Sequence, residues 1–245
     1  VSPTTLILIL DLAGVFAFAV DGALVGVRTS RIDLVGVTLL SVSTGLGGGI
    51  VRDLLLGTTP ATFQDWRYVV TALAGALLVF FLNRQLERIS GIISFLDSAA
   101  LTLFCVAGAA KTLELGFGPL QAVLLGAITG VGGGIIRDVL INRIPAAISR
   151  DSTMYSVPAL TGAFVLVVGS QAGLPESFSA AAGAVACFTL RLAGLRYHWR
   201  VPGPLGAGED PPPGPPDLQE GFGTTTAAPD HSTPGREPRL PPADR

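Results

Sequence analysis

Two arginine–aspartate pairs, Arg52–Asp53 and Arg137–Asp138, stand inside long apolar stretches, each beginning three residues after a glycine triplet. The first cluster reads TGLGGGIVRD at 44–53 and the second TGVGGGIIRD at 129–138. Gly47, Gly48 and Gly49 thus match Gly132, Gly133 and Gly134 at an offset of 85. Guanidinium and carboxylate groups in apolar surroundings suit the binding or passage of a charged solute. Within a bilayer such charges face the bundle interior or a water-filled path rather than lipid. Each glycine weakens a helix by about 1 kcal/mol. A helix broken there frees backbone carbonyls, which are tolerated only beside protein, water or an ion. Paired helix breaks of this kind predict a route for something polar. Close helix packing is the competing reading of the glycines, and snorkelling to the interface that of the charges.

Four more charges lie in the apolar stretches. Asp11 matches Asp97 at an offset of 86, which groups both with Arg52, Asp53, Arg137 and Asp138 as structural or gating charges. Asp21 matches Ala107 and Lys111 matches Val25, so these two break the symmetry. Lys111 reads either as a charge beside the path or as an interfacial anchor. Pseudo-symmetry suggests cross-pairs, Arg52 with Asp138 and Arg137 with Asp53. Enzyme chemistry lacks a constellation: the apolar part offers no Ser–His–Asp set. His198 and His231 lie outside the spans and no cluster has metal-ligand spacing, so no metal or other cofactor is expected. Gly45, Gly47, Gly48 and Gly49 mimic a dinucleotide loop, but no strand precedes them. A basic stripe with neighbouring aromatics, the mark of nucleic-acid binding, is also lacking. Cys105 and Cys187 sit in apolar runs and read as buried thiols.

These residues must be positioned by membrane helices. A mean hydropathy of +0.58 with 14% charged residues is too apolar for an ordinary soluble domain. Runs of about twenty apolar residues predict seven transmembrane helices, at 5–27, 34–57, 68–86, 93–114, 119–141, 154–171 and 176–193. Similarity extends beyond the glycines: Phe18 matches Phe104, Pro60–Ala61 matches Pro145–Ala146, and Tyr68 matches Tyr155. Residues 5–86 and 93–171 therefore read as two three-helix copies, followed by a seventh helix at 176–193. An odd number of crossings per copy inverts the second copy relative to the first. The expected fold is an all-α polytopic membrane protein, a 3+3 inverted repeat plus one helix. Arginines concentrate in alternate loops: Arg28 and Arg31, Arg84 and Arg88, Arg143 and Arg150, then Arg191, Arg196 and Arg200. The positive-inside rule puts that side in the cytoplasm, with the N-terminus outside and the C-terminus inside. Residues 201–245 hold 12 of the 18 prolines and a net charge of −4, against +2 for residues 1–200. With no apolar run to build a core, they read as a disordered cytoplasmic tail.

The duplicated GGGxxRD pattern, GGGIVRD at 47–53 and GGGIIRD at 132–138, resembles the prokaryotic branch of the trimeric intracellular cation channel family. The resemblance covers roughly residues 5–195. It implies a homotrimer in the bacterial cell membrane, with one potassium-permeable path per protomer beside the second and fifth helices. The path would pass Gly47–Gly49 and Gly132–Gly134, with Lys111 as a pore-side charge. The same bacterial domain is associated with glycine transport, which implies a carrier of a small amino acid as the second reading. The partners implied are other copies of the chain, membrane lipids, and a monovalent cation or small amino acid. A non-transporting structural membrane protein is the third reading.

Overall fold

The computed structural model describes residues 3–29, 32–87, 89, 91–149 and 154–199. Arg31, Arg88, Arg150 and Arg200, and the tail at 201–245 expected to be disordered, lie outside these residues. The described residues form helices α1 (Pro3–Thr29), α2 (Leu34–Leu55), α3 (Ala61–Gln64), α4 (Trp66–Glu87), α5 (Ile92–Glu114), α6 (Pro119–Leu140), α7 (Ser156–Gln171) and α8 (Glu176–Tyr197). The all-α class follows from sustained apolar runs, which leave backbone groups satisfied only within helices.

Five helices, α1, α2, α5, α6 and α8, are long and apolar enough to cross a membrane. The expectation of seven transmembrane helices is therefore corrected to five among the described residues. It fails at the third helix of each copy. The apolar part of α4 closes at Leu82. Helix α7 has 16 residues, about 24 Å at 1.5 Å per residue, against a hydrocarbon core of about 30 Å. The predicted span at 154–171 took its first two residues from the preceding loop. The parity argument for inversion counted three crossings per copy and loses that footing.

Helices α1, α2 and α4 pack on one another, as do α5, α6 and α7. The copies meet through α1 against α5 and α2 against α6. Phe18 and its repeat match Phe104 stack at this seam, with ring centroids 5.5 Å apart. Helix α8 packs on α5 and α7. Large apolar side chains such as Phe81, Phe164 and Val185 face outward, as suits a surface against lipid.

The glycine triplets do not break their helices; α2 and α6 are continuous through them. Instead the two helices cross there, backbone against backbone. A Cβ on Gly48 would lie 2.5 Å from the Thr129 carbonyl oxygen, and one on Gly133 would lie 2.6 Å from that of Thr44. A Cβ on Gly132 would stand 3.1 Å from the Gly48 Cα. Pairing 44 with 133 and 48 with 129 means that α2 and α6 run in opposite directions. Small residues thus act mainly as the packing surface. Their intrinsic helix penalty is offset by contacts no larger residue could make.

Each copy ends its glycine helix identically. Gly57 (φ +69°) and Asn142 (φ +56°), 85 positions apart, take the left-handed conformation just past the helix. Asn tolerates that region better than most residues. Thr58 N then donates to the Asp53 carbonyl at 2.9 Å, and Arg143 N to that of Asp138 at 2.8 Å. This turn folds the chain back over the aspartate side chains.

Candidate functional site

Cluster one forms around Arg52, which is 1% exposed. Its Nη1 and Nη2 donate to Asp11 Oδ1 and Oδ2 at 2.8 and 3.0 Å, a bidentate pair between α2 and α1. Its Nε donates to Asp53 Oδ1 at 2.7 Å. Lys111 Nζ on α5 donates to the same oxygen at 2.9 Å, and the Ala61 backbone N–H to Asp53 Oδ2 at 2.9 Å. Tyr68 on α4 donates its hydroxyl to Asp11 Oδ2 at 3.2 Å. Every charged oxygen has a donor, which is what allows a charge to stay buried.

Cluster two repeats this plan around Arg137. Its Nη1 donates to Asp97 Oδ1 at 3.0 Å and its Nε to Asp138 Oδ1 at 2.9 Å. The Ala146 backbone N–H donates to Asp138 Oδ2 at 3.0 Å, and the Tyr155 hydroxyl to Asp97 Oδ1 at 2.8 Å. Two groups have no equivalent in cluster one. Asp21 on α1 pairs with Arg137 Nη1 through Oδ2, and Arg191 Nη2 on α8 reaches Asp97 Oδ2 at 3.3 Å. The Arg191 guanidinium also lies 4.6 Å from the centre of the Tyr155 ring, a cation–π contact. The clusters are ten residues apart on α1, about 15 Å. Asp11 shares cluster one with Lys111, and Asp21 shares cluster two with Asp97, so α1 and α5 also run in opposite directions.

The expected cross-pairs, Arg52 with Asp138 and Arg137 with Asp53, do not form. Each arginine takes the aspartate beside it in sequence and one from the first helix of its own copy. Lys111 is not a lone charge, since it is bonded to Asp53. Arg191 was grouped with the cytoplasmic arginines, yet it is 5% exposed and turned into the bundle. Sequence reasoning matched Tyr68 with Tyr155 but missed their role. The signal was present: a hydroxyl repeated with the aspartates it serves. Tyr68→Phe and Tyr155→Phe are each expected to lower stability by about 1–2 kcal/mol by removing one donor from a carboxylate, measurable by thermal unfolding in detergent.

A vestibule of about 460 Å³ opens onto cluster one, lined by Asp11, Tyr68, Lys111 and Glu114 with threonines from α1 and the α2–α3 turn. At its rim Arg67 donates to Asp65, at 2.8 Å from Nε to Oδ2, holding that carboxyl below its ordinary range. Beneath it, a cavity of about 10 Å³ touches Gly45, Gly49, Arg52 and Asp53, and shares Asp11, Ala61 and Tyr68 with the vestibule. That is about the room one water needs. Gly49 borders this space, and a Cβ there would meet nothing nearer than Arg52 Nη2 at 4.0 Å. Its match Gly134 is closed off, because a Cβ would lie 2.5 Å from the Tyr155 hydroxyl. A cavity of about 160 Å³, lined by Gly26, Gly36, Leu40 and Ile141, lies toward the other end of α1 and α2. The described residues hold no group of three or more His, Cys, Asp or Glu side chains arranged to bind a metal.

The sequence profile of the glycine transporter family matches residues 8–84 and again 94–171, the two copies. A UPF0126 membrane protein of Deinococcus radiodurans is 44% identical over 194 residues, covering 79% of this chain and 89% of that protein. The UPF0126 inner membrane protein YadS of Escherichia coli is 35% identical over 196 residues, covering 79% and 93%. Among solved structures, the trimeric intracellular cation (TRIC) channel orthologue of Rhodobacter sphaeroides shares 37% identity at a TM-score of 0.74. That match covers 79% of this chain and 99% of that one. A prokaryotic TRIC channel solved in 0.5 M KCl shares 29% identity at a TM-score of 0.73, covering 81% and 100%. Sequence and architecture agree on a multi-pass protein of the bacterial cell membrane, and the chain belongs to the prokaryotic branch of the UPF0126/TRIC family of cation channels.

Proposed function

We propose that the chain is a potassium-permeable cation channel, assembled as a homotrimer with one path in each protomer. The vestibule supports this reading: it is lined by Asp11, Tyr68 and Lys111, and the small cavity that shares Asp11 and Tyr68 with it borders Gly49. The path continues along Gly47–Gly49 and Gly132–Gly134, where α2 and α6 cross. Their close contact shuts the route in this conformation, so conduction requires the helices to part at the glycines. Residues 5–86 and 93–171 act as two inverted halves about that crossing, which the opposed directions of α1 and α5, and of α2 and α6, support. With five crossings the α1–α2 loop and the end of α8 fall on one side, and their arginines, Arg28 and Arg196 among them, support an N-terminus outside and a C-terminus in the cytoplasm. The description of structural relatives as trimeric intracellular cation channels supports the trimer and the conduction of cations.

Lys111 sets a positive charge, 19% exposed, at the mouth of a cation path. Lys111→Met is expected to raise potassium flux roughly 2- to 10-fold at low salt, with a smaller gain at high salt, because a local charge repels cations until it is screened. Flux assays in proteoliposomes at two ionic strengths check this.

The second reading is a carrier for glycine or another small amino acid, favoured by the description of the family profile. The vestibule has room for such a solute, and Lys111 could meet its carboxylate. Recordings in a planar bilayer separate the two. Unitary potassium current steps support the channel; saturable glycine uptake without such steps supports the carrier.

A further inference from the structure

The two clusters differ by one formal charge, and the difference sits at Asp21. Cluster one sets Asp11 and Asp53 against Arg52 and Lys111. Cluster two sets three carboxylates, Asp21, Asp97 and Asp138, against Arg137 and Arg191. In each case the other copy contributes one group across the seam: Lys111 from α5 reaches cluster one, and Asp21 from α1 reaches cluster two. The first contribution brings a cation and the second an anion.

Asp21 is fully buried. Its Oδ2 pairs with Arg137, but its Oδ1 is enclosed with no hydrogen-bond partner among the described residues. An ionised oxygen left in that state is among the costliest features a bundle interior can hold. Among the described residues, the charged and titratable groups facing it are Arg137 and Asp138 from α6, Asp97 from α5, Tyr155 ahead of α7, and Arg191 from α8. Arg52 and Asp53 of α2, and Tyr68 of α4, serve cluster one, about 15 Å away along α1. Arg137 is already shared with Asp97 and Asp138, so its charge is divided among three acids.

We propose that Asp21 is a proton-binding site. Its carboxylate takes a proton at Oδ1 from a hydronium ion, which leaves as water, to become the neutral acid, while Arg137 stays paired with Asp97 and Asp138. A proton fits where a metal cation does not: an ion needs several oxygens to replace its hydration shell, and among the described residues of this cluster the uncommitted carboxylate oxygen is Oδ1 alone. Protonation balances the cluster at two acids and two guanidiniums. It also weakens the charge-assisted tie from α1 to α6, making the seam between the copies sensitive to proton concentration.

The test is infrared difference spectroscopy on the full chain in lipid at neutral pH, with and without 13C-labelled aspartate. The expected result is a protonated-carboxyl band that shifts with the aspartate label and is lost in Asp21→Asn. Absence of that band from the folded wild type, or its survival in Asp21→Asn, overturns the proposal. Should Asp21→Asn fail to fold, Asp21→Glu decides: the acid band should remain but no longer shift with the aspartate label, and a retained shift overturns the assignment. The readout needs no transport, so it stands or falls separately from the conduction of potassium.

Discussion

Replacing Arg137 with methionine is expected to destabilise the folded chain by about 3–5 kcal/mol, among the largest single effects available in this molecule. Arg137 is 6% exposed and joins α6 to α1 through Asp21 and to α5 through Asp97. Removing it leaves three buried carboxylates to Arg191, Tyr155 and the Ala146 backbone N–H. Arg52→Met should follow the same pattern with a smaller loss, since Lys111 and the Ala61 N–H still hold Asp53. The double variant Arg52→Met/Asp11→Leu separates charge from packing. It removes both partners of the bidentate pair, and replacing a buried pair with apolar groups is often close to neutral. Most of the stability lost in Arg52→Met should therefore return. Denaturant or thermal unfolding in detergent provides the measurement, and failure of the double variant to recover would mean that the arginine acts chiefly by filling space.

Second in size is the contrast between neighbouring glycines. Gly48→Ala and Gly133→Ala are each expected to lower stability by about 1–3 kcal/mol or more. The added Cβ would approach backbone carbonyl oxygens at 2.5 and 2.6 Å. Backbone cannot rotate aside, so α2 and α6 must separate. Gly49→Ala, one residue along, has its nearest neighbour at 4.0 Å. It is expected to be neutral, or stabilising by up to about 1 kcal/mol through helix propensity. Equal losses at positions 48 and 49 would refute the crossing geometry.

Much of this was readable from residue types. The offset of 85 identified matched groups, and matched groups do occupy matched environments: Asp11 and Asp97, Tyr68 and Tyr155, Ala61 and Ala146. The end of each glycine helix was also encoded, by Gly57 and Asn142 followed by Pro60 and Pro145. What escaped was mostly tertiary. Helical periodicity says which face a residue occupies, but not which neighbouring helix that face meets. Lys111 and Asp21 therefore could be marked as asymmetric but not assigned to Asp53 and Arg137. Arg191 was masked by its company, since it lies near Arg196 and Arg200 in sequence and was counted with them among the cytoplasmic arginines. The triplets were misread as breaks because propensity counts only local preference, whereas contact between two glycine surfaces outweighs it. The count of seven crossings failed at α7 because the apolar run began before the helix, and at α4 because the helix runs on past its apolar part into Asn83 and Arg84.

The most direct test of the proposed route is potassium current through purified, reconstituted Gly49→Leu. Gly49 borders the small cavity below the vestibule, so leucine there should block the path by filling that cavity and pressing on its lining, Arg52 first, while the α2–α6 backbone contact at Gly48 and Gly133 is left alone. The expected result is a variant that still folds, with stability lowered by about 1–3 kcal/mol through overpacking, and loses at least about tenfold in unitary current or opening frequency. Wild-type current through a folded Gly49→Leu protein would contradict the route past Gly49.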